Sequence, residues 1–193
     1  DVCFFRSLRP VRPEDIAILF RTKGAVGAFD RELRRAGIPV ASAGSDALFE
    51  TPEVRVLVDL LKGLSNPHQD IPLLAVLCSP LFRFSNDQLA KIRSGSRAER
   101  FYDAMKENRE DWCVSALTVL ESLREQAGAV SADVLVWEIL ENTGLLDTYS
   151  ALENGACRRE NLLAVYELAR KAAGGGYLYL YELIRALDRA AKN

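Results

Sequence analysis

Ile16-Ala17-Ile18-Leu19-Phe20 is an unbroken apolar run. That pattern predicts a strand covered on both faces, as in a parallel sheet. Thr22, Lys23 and Gly24 follow as a polar turn. Val26, Phe29, Leu33 and Ala36 then recur at helical spacing, with Arg31, Glu32, Arg34 and Arg35 on the opposite side. Gly37 stands where a helix commonly ends in a left-handed residue. Ile38-Pro39-Val40-Ala41 reads as a second strand, its proline near the start where a missing donor is tolerated. The unit is thus a right-handed β-α-β crossover. Two parallel strands cannot cover their own edges and faces, so the unit is expected to belong to a larger sheet. Arg21 falls at the carboxyl end of the first strand, the rim where open parallel sheets bind ligands. A guanidinium there is shaped to hold a phosphate by two parallel hydrogen bonds.

After Gly44 the periodicity becomes helical and stays so. Thr51-Pro52-Glu53 is a helix start: a capping threonine, a proline in the first turn and a carboxylate near the positive dipole end. Val54, Leu57, Val58 and Leu61 form that helix's stripe, and Asn66-Pro67-His68-Gln69 breaks it. Asp70 is expected to cap a short helix burying Leu73, Leu74 and Leu77, stopped by Ser79-Pro80. Ser85 with Gln88, and Ser96 with Glu99, have the form of capping boxes opening two more helices. Leu89 and Ile92, then Phe101, Tyr102 and Met105, are expected to face inward. Further helices are predicted from about Trp112 to Leu123, from Ser131 to near Gly144 (burying Val134, Leu135 and Ile139), from Cys157 to Ala173, and through Leu180, Leu183, Ile184 and Leu187. Gly174-Gly175-Gly176 is a break. The fold class is therefore mainly α with a small α/β part: a β-α-β piece over 1–47, then a helical bundle over 48–193.

Composition adds limits rather than a function. Apolar residues make up 49% and charged residues 27%, the balance of a globular protein. A net charge of −2 supplies no global basic field for nucleic acid. Arg93, Arg97 and Arg100 cluster, as do Arg158 and Arg159, and both groups read as solvated helix faces. Cys3, Cys78, Cys113 and Cys157 lack metal-ligand spacing and read as reduced, mostly buried thiols of an intracellular protein. No metal site is expected, and no apolar run is long enough to cross a membrane. The start at Asp1 rather than Met points to a piece of a longer protein. No GxxxxGK[ST] phosphate loop occurs, and the lone histidine, His68, reads as a solvated turn residue. The chain by itself is not expected to complete a catalytic cycle.

DIAILFRT at 15–22, the helix after it and RRAGIPV at 34–40 resemble the start of the second RecA-like motor domain in superfamily 1 DNA helicases of the UvrD type. LFETPEVRVLVDLLKGLSNPHQDIPLLAVLCSP at 48–80 and GLLDTYSALENGACRRENLLAVYELAR at 144–170 are more specifically similar to the AddA/RexA family of helicase–nuclease subunits. The resemblance implies ATP and Mg as cofactors of the parent protein, with Arg21 reaching the γ-phosphate as an arginine finger. It implies DNA as a partner, a second subunit of the AddB/RexB type, a nuclease outside this chain, and a bacterial cytoplasmic role in double-strand-break processing and recombinational repair. Residues 48–193 would be the helical insertion of the second motor domain. Lys23, beside the motor cleft, and Arg83 are the DNA-contact candidates.

UvrD-type monomers carry a Gly-x-Gly turn after the proline that corresponds to Pro80, and its backbone approaches duplex DNA. Here the matching positions are Arg83-Phe84-Ser85, so the freedom for close backbone approach is expected to be lost. The competing reading of the whole chain is a non-catalytic helical protein-interaction module with a β-α-β appendage.

Overall fold

The computed structural model describes residues 10–22, 25–40 and 48–192. Contacts divide the chain into two units, Asp1–Ala47 and Leu48–Asn193.

In the first unit a 3-10 turn, Pro13–Asp15, leads into the apolar run. Helix α1, Val26–Arg35, follows. It ends as the pattern predicts: Gly37 takes φ 75°, and around it the Ile38 N–H bonds the Leu33 carbonyl at 2.9 Å. The predicted strands differ. Among the described residues, neither 16–20 nor 38–40 lies in a strand. A strand exists only through ladder bonds to a neighbour, and an isolated pair of short segments is too weak to supply them. The apolar run is left bare, with Leu19 94% exposed and Ile16 63% exposed.

The second unit is helical throughout its described residues. Its helices are α2 (Pro52–Ser65), α3 (Asp70–Cys78), α4 (Asn86–Ser94), α5 (Phe101–Glu107), α6 (Asp111–Ala129), α7 (Ala132–Asn142), α8 (Leu145–Ser150), α9 (Gly155–Ala173) and α10 (Leu180–Ala190). Helix α2 is the hub and packs on α3, α6, α9 and α10. Its Val54, Leu57, Leu60, Leu61 and Leu64 are all buried. That stripe is wider than the predicted one and leaves Val58 only half-buried, as expected of a helix enclosed on several sides. Leu135, Ile139 and Leu140 of α7, Leu162 and Val165 of α9, and Leu183 and Leu187 of α10 complete the core around it.

Helix starts show where local patterns hold and where tertiary contacts override them. Ser85 and Gln88 form the reciprocal capping box at α4, at 3.2 and 2.8 Å. Ser96 does not open a helix: its Oγ accepts the Ala98 N–H, and α5 begins later, at Phe101. Asp70 does not cap its own helix either. Its Oδ1 accepts the Phe101 N–H at 3.1 Å, serving an orphan donor of α5 thirty-one residues away. The Thr51 hydroxyl turns back to donate to the Leu48 carbonyl at 2.7 Å and leaves the α2 start without a side-chain cap. Val134, expected inside, is exposed because α7 buries Leu135 and Val136 instead. Helix α8 went unpredicted. Its junction with α9 is tight: Asn154 takes φ 59°, and a Cβ on Gly155 would sit 1.8 Å from the Ser150 carbonyl oxygen.

Candidate functional site

Arg21 closes the apolar run on an exposed bend. Immediately before it, Phe20 packs edge-on against Phe29 of α1, ring centroids 5.1 Å apart. The helix therefore fixes the end of the run, and the guanidinium projects from that fixed point with no carboxylate ion pair among the described residues. Lys23 lies outside the described residues.

Arg83 sits in the turn between α3 and α4. Its N–H bonds the Ser79 carbonyl at 2.8 Å, and the Phe84 N–H bonds Leu77 at 2.9 Å. Ser79 ties the turn from inside, donating to the Val76 carbonyl at 2.6 Å and accepting the Leu81 N–H at 3.2 Å. Phe84 is buried edge-on against Trp112, 5.1 Å between centroids. The expected loss of glycine-like geometry is not what the turn shows. Arg83 takes φ 56°, the left-handed region that glycine enters freely. The backbone shape is kept and a side chain is added to it. Arg83 Nε donates to the Pro80 carbonyl at 3.1 Å, and the residue stays exposed. Arg21 and Arg83 are not brought together as one described site: they belong to separate units.

A third constellation escaped the sequence pattern. Glu53, expected at the exposed first turn of α2, is only 2% exposed. Its Oε2 accepts Arg158 Nη1 at 2.6 Å and its Oε1 accepts Asn161 Nδ2 at 2.7 Å. Arg158 Nε donates to the Glu153 carbonyl at 2.9 Å, which aims the fork. Arg158 is thus an internal clamp rather than part of a solvated face, whereas Arg159 is exposed as expected. Burial, reinforced by the Glu53 charge, pushes the nearby Tyr149 hydroxyl up to about 12. The only available signal was a carboxylate directly beside an apolar stripe, which a helix-dipole role mimics.

Residues 8–169 match the UvrD-like helicase C-terminal domain family. The chain belongs to that family. The UvrD-like segment is also 37% identical over 191 residues to an ATP-dependent helicase/nuclease subunit of Lactobacillus johnsonii, covering 96% of this chain and 16% of that relative. The protein of the same name from Geobacillus thermodenitrificans is 34% identical over 187 residues, covering 91% of this chain and 15% of the relative. The UvrD-like segment therefore spans about one sixth of the length of these relatives.

Other candidate groups of this UvrD-like segment are structural. Arg93, Arg97 and Arg100 are exposed, and Arg93 donates to the Ala98 carbonyl to close the loop after α4. His68 lies 3.7 Å from Asp103 and edge-on to Tyr102, so its turn is tied to α5 rather than simply solvated. Cys113 is buried and Cys157 half-buried; Cys78 is exposed, against expectation, because it ends α3 on the outer side. Cys3 lies outside the described residues. Among the described residues no group of three or more His, Cys, Asp or Glu side chains can hold a metal, and no helix is long and apolar enough to cross a membrane.

Proposed function

We propose that this chain works as part of an ATP-dependent DNA helicase of the AddA/RexA helicase–nuclease kind. In this reading residues 1–47 carry the start of the second RecA-like motor domain, and 48–193 form the helical subdomain inserted into it. One observation carries the proposal: the similarity to relatives named as ATP-dependent helicase/nuclease subunits runs through 96% of the chain, Arg21 included. The bare apolar run fits the same reading, since its two faces and edges match what neighbouring strands and helices of a motor sheet would cover.

Arg21 would then face a nucleotide held mainly by parts of the motor outside this chain. ATP brings Mg with it, and that ion neutralises charge between the β- and γ-phosphates. The contribution of Arg21 is electrostatic: two N–H donors aimed at the γ-phosphoryl oxygens where negative charge spreads during transfer. Because such an arginine reads the γ-phosphate, hydrolysis would loosen its hold and couple chemistry to motor-domain closure. The parent would act in the bacterial cytoplasm on DNA, in double-strand-break processing and recombinational repair. It would work with a nuclease outside this chain and a second subunit of the AddB/RexB type. Lys23 and Arg83 remain its candidate DNA contacts.

The test is Arg21→Ala in the full-length protein, read as DNA-stimulated ATP turnover. The expected result is a drop of about 10³-fold, in the range of arginine-finger removals, with an unchanged melting temperature. Unchanged turnover removes Arg21 from the mechanism.

A further inference from the structure

Tyr177, Tyr179 and Tyr181 are each more than half exposed, at 52%, 56% and 55%. They are not scattered. Tyr177 and Tyr179 meet edge-to-face at 5.0 Å, and Tyr179 and Tyr181 stack at 5.9 Å with ring planes only 24° apart. The backbone enforces their exposure. Residues 177–179 run extended into α10, so alternate side chains take opposite sides, and Leu178 is the one that turns inward and is buried. The segment is held firmly: Tyr177 Oη donates to the Val130 carbonyl at 2.9 Å, the Leu178 N–H donates to Ser131 Oγ at 2.9 Å, and the Ala132 N–H donates to the Leu178 carbonyl at 2.8 Å.

The aromatic row continues into charge. Tyr181, Arg185 and Arg189 follow one another at i, i+4 and i+8 on α10, and all three are exposed. Each step is about 6 Å along the helix axis. Neither arginine has a carboxylate partner among the described residues. The carboxylates of the same helix are engaged elsewhere. Asp188 pairs with Lys62 at 3.0 Å. Glu182 accepts the Tyr179 N–H at 3.1 Å and lies 3.4 Å from the Tyr181 hydroxyl. With Lys62 offsetting Asp188, two arginines face solvent against one carboxylate, on a chain whose net charge is −2.

From this juxtaposition we propose that Tyr177, Tyr179, Tyr181, Arg185 and Arg189 form a docking strip for single-stranded DNA. Exposed ring faces offer sequence-tolerant stacking to bases, and unpaired guanidiniums offer contacts to successive phosphates. A protein partner also uses tyrosine and arginine. The strip favours a polyanion because its cations are uncompensated, whereas a protein contact of this kind needs no excess of one sign. Its role is separate from the motor role of Arg21 and does not depend on nucleotide.

The experiment is fluorescence anisotropy of a labelled oligo(dT) single strand titrated with the 193-residue chain, at about 50 and about 200 mM salt and without nucleotide. The Tyr179→Ala/Tyr181→Ala double variant is expected to bind about tenfold more weakly or worse, and Tyr179→Phe/Tyr181→Phe to bind as the wild type does, because stacking needs the ring and not the hydroxyl. Arg185→Gln/Arg189→Gln is expected to reduce the slope of log affinity against log salt by about 1.4. The proposal is overturned if the wild type does not bind, if the alanine pair binds like the wild type, or if the phenylalanine pair is as weak as the alanine pair. An alanine pair that binds oligo(dT) normally but loses association with a partner protein overturns it in favour of a protein contact. Normal ATP turnover by an Arg21→Ala full-length protein would end the motor reading and leave this one standing.

Discussion

Arg158 Nη1 lies 2.6 Å from Glu53 Oε2 although 105 residues separate them in the chain. The pair joins the first turn of α2 to the first turn of α9, and Asn161 satisfies the second carboxylate oxygen. Removing the cation strands a charge that is almost fully buried. Arg158→Ala is therefore expected to cost about 3 kcal/mol and to lower the melting temperature by roughly 10 °C. Thermal melts of the two proteins check it, and an unchanged midpoint contradicts the clamp. A Glu53→Leu/Arg158→Leu double variant should recover part of the loss, because no lone charge is left behind.

Tyr149 titrates beside that clamp. Burial is the larger cause of its raised pKa, the Glu53 charge adds to it, and Arg158 opposes. The folded value, about 12, lies above the ordinary 10. Folding thus favours the neutral phenol, so its contribution is fully present below pH 10 and is lost as pH rises toward 12. Between about pH 9 and about pH 11 the loss is on the order of 1 kcal/mol. Urea midpoints should fall over that interval in the wild type and fall less in Tyr149→Phe. Burial raises the Cys113 thiol as well, so the Phe variant should flatten the decline without abolishing it. Equal declines in both proteins would contradict the assignment.

At Arg83 the left-handed backbone decides what the turn accepts. Arg83→Gly removes the steric cost of that conformation and adds unfolded-state entropy, two effects of similar size. Stability should therefore stay within about 1 kcal/mol of the wild type. Arg83→Val should cost about 2 kcal/mol, since a β-branched residue is a true outlier there. Chemical denaturation distinguishes the two, and a Val variant as stable as the Gly variant would argue against the observed φ.

Asp70→Ala deprives the Phe101 N–H of its acceptor. A loss of about 1 kcal/mol is expected, as for other helix caps. Asp70→Asn keeps an oxygen in place and should lose less. Identical losses in the two variants would mean that the charge and not the acceptor matters.

These residues also show how far the sequence could be read. Ser85 with Gln88 and the Gly37 helix end were legible because each is complete within a few residues. The stripes of α2, α9 and α10 were legible because burial imposes a 3.6-residue period on whatever neighbours exist. Asp70 and Ser96 carried the right local chemistry and misled, because competition among nearby N–H donors is settled by packing. The run 16–20 read as a strand from its composition, but ladder bonds need a second segment that local pattern cannot provide. Of the site residues, Arg21 was visible from its address alone. Glu53 with Arg158 was not, since neither residue type nor spacing announces a partner 105 positions away. The tyrosine row was hidden for another reason: tyrosines at i, i+2 and i+4 read as an ordinary apolar approach to a helix until their exposure is known.

The absence of room at position 155 has a mechanical meaning. With the Ser150 carbonyl where a Cβ would go, the corner between α8 and α9 is a weld and not a hinge. Tyr149 stands just before that corner and Arg158 just after it, so both reach Glu53 from one rigid bracket. A side chain at 155 would pry the bracket open and withdraw both groups together.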